Sequence, residues 1–108
     1  MQLSHTHVKV QSDQDGQYYD VAMDNVYASD YVLNARSMPR SLASIQVGDS
    51  LELCGKFYTS GYGIHWVHDN CGVTPDGSHP DGWVKEIDSN GNTGDNLEAS
   101  QAYCYLWY

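Results

Sequence analysis

Residues 17–25, QYYDVAMDN, set Tyr19, Val21 and Met23 in alternation with Asp20, Ala22 and Asp24. Successive side chains of a strand point to opposite faces, so this spacing predicts a strand with one apolar and one polar side. Upstream, Thr6, Val8 and Val10 share a parity, and the intervening residues 12–16, SDQDG, have hairpin-loop chemistry, which predicts two antiparallel strands. Downstream, residues 51–59, LELCGKFYT, put Leu51, Leu53, Gly55 and Phe57 on one side and Glu52, Cys54, Lys56 and Tyr58 on the other, with Gly55 expected at a bulge or sharp bend. Residues 62–68 (YGIHWVH), 83–87 (WVKEI) and 102–108 (AYCYLWY) read as further strands, the last running to the C-terminus. Helical spacing is confined to Pro39–Gln46, with proline at the first helical position.

Five or six strands at roughly ten-residue spacing, with one short helix, predict an all-β fold: a small OB-like β-barrel, closed or partly open, with an open β-sandwich as the alternative. At 108 residues the chain is read as a single domain over 1–108. Polar turn-rich residues 69–81 are expected to form a long structured loop.

Five Lys+Arg against fourteen Asp+Glu give a net charge of −9. This charge disfavours nucleic acid as a partner, because phosphate-backbone binding draws on clustered cations. No apolar run reaches the roughly 18 residues of a membrane-spanning helix, and the opening residues lack the basic and apolar segments of a signal peptide. No compartment follows from this. Cys54, Cys71 and Cys104 allow at most one internal disulfide, and a Cys71–Cys104 bridge would tie the long loop to the last strand. Residues 88–99, DSNGNTGDNLEA, imitate a calcium loop but place Thr93 where glycine is required and Ala99 where a bidentate glutamate belongs, so they read as a solvated hairpin turn.

The densest chemistry lies in residues 64–83, IHWVHDNCGVTPDGSHPDGW, with three of the five histidines, three aspartates, a cysteine and two tryptophans. His65, Trp66, His68, Asp69, His79, Asp81 and Trp83 are the candidate ligand-binding residues. The run resembles a family of small bacterial domains of unknown function whose signature is IHWxHHDPxGxHxDGW. Ile64, His65, Trp66, His68, Gly77, His79, Asp81, Gly82 and Trp83 fall on that signature, while Asp69 replaces its second consecutive histidine and the loop before His79 is longer. The resemblance implies the importance of this segment and names no activity.

His65, His68 and His79 form a candidate metal set, suited to zinc or another borderline divalent ion, although no cofactor is expected from the leading reading. Residues three apart on an unbroken strand face opposite ways, so His65 and His68 converge only if the strand ends near Trp66. The competing account is a structural polar network that pins the loop. The expected function is therefore a binding or interaction module for a small polar or cationic ligand, or for a protein, rather than an enzyme. A metal-dependent or His/Asp hydrolytic enzyme using His65, His68, His79 and Asp81 is the alternative, and a structural homo-oligomer subunit is the third.

Overall fold

The computed structural model describes residues 4–33, 37–58, 61–71, 75 and 80–107. Strands β1 (His5–Gln11) and β2 (Tyr18–Asp24) pair antiparallel, with His5 opposite Asp24 and Gln11 opposite Tyr18. Thr6, Val8 and Val10 lie across from Met23, Val21 and Tyr19, so the two predicted apolar parities share one side of the sheet. The connection is closed by a Ser12 amide donating to the Gln17 carbonyl at 2.9 Å.

The alternating run 51–59 divides. Residues Ser50–Cys54 form β3 and Lys56–Phe57 form β4, and the two belong to different sheets. Gly55 is the break: a Cβ there would press on the His65 carbonyl and the Val67 side chain, so only glycine lets the chain turn through this corner. Strand β5 (Gly63–His65) pairs antiparallel with β4 and parallel with β2, giving the order β1-β2-β5-β4. The second sheet is β3-β6-β7, with β6 (Trp83–Ile87) central and β7 (Thr93–Asn96) joined to it through an irregular register.

The fold is thus all-β, with one short helix among the described residues, α1 (Arg40–Ala43), and 3₁₀ turns at Asn25–Tyr27 and Cys104–Trp107. Among the described residues seven strands stand where five or six were expected: the 51–59 run splits in two and β7 emerges from what reads as a turn cluster, while the expected C-terminal strand is absent. Among the described residues no strand of one sheet pairs with a strand of the other, so closure into a barrel is not found. Pro39 caps α1 from outside instead of opening it, and Asp30 anchors the first turn through the Ser41 amide and hydroxyl at 2.9 and 2.6 Å.

The C-terminal strand is a correction. Alternation in 102–108 is overridden by a turn in which the Cys104 amide donates to the Gln101 carbonyl, with Cys104 bonded to Cys71. A side chain fixed by a long-range covalent bond need not follow the parity of its neighbours.

One core joins the two sheets: Val21 and Met23 of β2, Val84 of β6, Ala28, Leu42 of α1, and Val67, flanked by Val8, Val10, Leu53, Ile64 and Leu97. Among the described residues no helix is long and apolar enough to cross a membrane.

Candidate functional site

Strand β5 stops at His65, and the next residue, Trp66, takes a left-handed backbone with φ 58°. Among the described residues it is the one non-glycine in that region, a conformation that costs a bulky side chain on the order of 1 kcal/mol and persists only where surroundings enforce it. The enforcement is visible. The indole Nε1 donates to the Pro80 carbonyl at 2.6 Å, and the Gly82 amide donates to the His68 carbonyl at 2.8 Å. Among the described glycines Gly82 sits at the tightest crossing, since a Cβ there would collide with the backbone of Trp66, Cys54 and His68 at once.

This kink removes the parity obstacle between His65 and His68. His68 is buried, stacks on Tyr27 with ring centroids 3.8 Å apart, and presents Nε2 to Asp24 Oδ2 at 3.4 Å. Its Nδ1 lies 2.7 Å from the Asp69 carbonyl, which can only accept, so Nδ1 carries the hydrogen of that bond. His65 stacks on Tyr58 at 4.3 Å and lies within the electrostatic reach of Asp24. Burial holds its imidazole below the ordinary histidine value; Lys56, and to a smaller extent His68, push the same way against the pull of Asp24. Asp24 also receives His5 Nε2 at 2.6 Å on its other oxygen. Asp24, at the end of β2, therefore lies between two histidines, His5 and His68.

The acidic residues of the predicted set serve the scaffold. Asp81 Oδ1 accepts from the Asn70 amide at 3.1 Å and from Asn70 Nδ2 at 2.7 Å, a latch across the base of the loop, and neither bond involves a histidine. Asp69 accepts from Asn96 Nδ2 at 3.3 Å. Burial, and after it the neighbouring Asp81 charge, raises its carboxyl above the usual range. Lysines cover both tryptophan faces: Lys56 Nζ lies 5.6 Å from the Trp66 ring and Lys85 Nζ 4.8 Å from the Trp83 ring. Trp83 Nε1 is buried without a hydrogen-bond partner. His79, with Gly77 of the motif, lies outside the described residues. Among the described residues no group of three or more His, Cys, Asp and Glu has the geometry to hold a metal.

Asp24, His5, Tyr27 and Glu98 are neighbours of the candidate site that sequence reasoning missed. Glu98 is fully buried with neither oxygen hydrogen-bonded, and burial, then the Asp24 charge, pushes its carboxyl up to about 9. Cys71 and Cys104 form a disulfide, with the Tyr27 hydroxyl 3.1 Å from Cys71 Sγ. Cys54 remains a free, partly buried thiol. Comparison with protein families, with curated proteins and with solved structures returns no match to this chain.

Proposed function

We propose that the protein is a binding module for a small neutral polar ligand, seated where Tyr58, His65 and Trp66 meet the outer face of the four-stranded sheet beside Asp24. The observation that carries this reading is the left-handed Trp66: a strained residue between His65, stacked on Tyr58, and buried His68, whose Nε2 lies 3.4 Å from Asp24, is the kind of local cost a fold retains where side chains must be aimed. Partly exposed aromatic faces supply stacking and His65 supplies a hydrogen-bonding head, the composition of polar-ligand sites. The lysines over both indoles argue for a neutral ligand over a cationic one, because a second cation would meet their charge. In the same reading the two sheets are the walls of a partly open OB-like barrel, an inference supported by the Gly55 corner, where one continuous run passes from sheet to sheet, and by the single shared core.

Thermal-shift and tryptophan-fluorescence screens of neutral sugars, polyols, amines and nucleotides test the proposal. A neutral polar compound should raise the midpoint of the wild type and fail to do so for His65→Ala. If no compound acts, or the rise survives His65→Ala unchanged, the site is elsewhere.

A further inference from the structure

The outer face of β1 carries His5 and His7 two residues apart, so both rings stand on the same side of the strand. Each is oriented by a carboxylate of β2. His5 Nε2 lies 2.6 Å from Asp24 Oδ1, and His7 Nδ1 lies 2.8 Å from Asp20 Oδ2. An ionised carboxylate only accepts, so these two nitrogens carry hydrogens, and in the neutral rings the lone pairs fall on Nδ1 of His5 and Nε2 of His7. That is the carboxylate–histidine arrangement that fixes the tautomer and ring orientation of metal ligands and raises their basicity. The second oxygen of Asp24 lies 3.4 Å from Nε2 of buried His68, itself stacked on Tyr27.

The ring centroids of His5 and His7 are 6.2 Å apart and tilted by 50°. A ring nitrogen bonds such an ion at 2.0–2.1 Å, which puts the ring centroid about 3.2 Å from the metal, so two rings on one ion have centroids between about 4.5 and 6.4 Å apart. The observed separation of 6.2 Å falls near the wide end of that window, where the two nitrogens stand nearly opposite each other across the ion. Both side chains are open to solvent, at 41% and 55% exposure, which leaves room for water to complete the coordination sphere. His68, by contrast, has one nitrogen on the Asp69 carbonyl and the other toward Asp24.

We infer that His5 and His7 form a two-imidazole site for a borderline divalent transition-metal ion, with Cu(II) bound ahead of Zn(II) as the affinity order of nitrogen ligands requires. The site takes its ligating nitrogens from His5 and His7 on β1; it borders the His65–Trp66 surface through Asp24 but does not depend on the ligand proposed there.

The test is a calorimetric titration of the untagged full chain with Cu(II) alone and Zn(II) alone, with an electron paramagnetic resonance spectrum of the copper-loaded protein. One Cu(II) per chain should bind more tightly than Zn(II), with hyperfine structure from two nitrogens. His7→Ala alters an exposed side chain on an intact strand and should weaken Cu(II) at least about tenfold and leave one nitrogen; Asp20→Ala should weaken it by about tenfold through loss of ring orientation. His65→Ala should change neither reading. The inference is overturned if the wild type binds no Cu(II) at about 100 μM, if His7→Ala binds as the wild type does, or if the loss follows His65→Ala instead.

Discussion

Glu98 and Asp24 are carboxyl neighbours of opposite circumstance: Glu98 is fully enclosed without a hydrogen bond, whereas Asp24 is partly exposed and paired with His5 and His68. The segment that carries Glu98 is itself fastened, since its carbonyl accepts from the Asp69 amide at 3.0 Å and the Ser100 amide donates to the Tyr27 carbonyl at 2.9 Å. An interior acid held this way makes stability depend on pH. Its folded-state value of about 9 lies above the ordinary 4.5, so folding takes up a proton, and stability falls as pH rises through that window and levels off beyond it. At roughly 1.4 kcal/mol per pH unit the full cost approaches about 6 kcal/mol. Glu98→Gln keeps the shape and removes the charge. Denaturation midpoints at pH 5, 7 and 9 should decline steeply for the wild type and much less for the variant, which should be the more stable at pH 9; parallel declines would show that Glu98 is not the cause.

Gly82→Ala should be among the most damaging small substitutions. The added methyl meets three backbone segments, none of which is a flexible side chain, so the 66–68 kink must open. A loss of about 3 kcal/mol is expected, with a change in tryptophan emission as the indole–Pro80 bond is disturbed. A variant as stable as the wild type would mean that the crossing is not tight.

Reduction of Cys71–Cys104 releases a closure spanning 33 positions, worth about 4 kcal/mol by loop entropy. For a chain of this size the melting midpoint should drop by roughly 15 °C in reductant. Calorimetry with and without reductant, and of Cys71→Ser with Cys104→Ser, measures it directly; coincident traces would refute the bridge's role.

His65 should titrate below the ordinary histidine value in a proton NMR pH series, because burial, and then Lys56, disfavour its charged form. Its folded-state value is depressed, so the neutral ring is favoured on folding and stability falls as pH drops through the ordinary value toward the folded one. Lys56→Met should move the His65 midpoint upward. No movement would place Lys56 too far away to act.

The period-two runs determined most of this architecture by themselves. Alternation at 6–10 and 18–24 is a local consequence of pleated backbone at a half-buried face, and both strands stand with the predicted parity. The Gly55 break is local too, because the residue without a side chain is where a backbone can pass close. The density of chemistry in 64–83 was legible, but not its arrangement: Trp66 bears no mark of a left-handed backbone, which is enforced by Pro80 and Gly82 from across the loop. The connection between β1 and β2 is longer than a two-residue turn, so its type could not set the register that puts His5 against Asp24. Glu98 reads in sequence as one more solvated acid between Leu97 and Ala99. Only the packing of its segment against Asp69 and Tyr27 takes it out of water, and desolvation is a property of the surrounding chain that no local pattern carries.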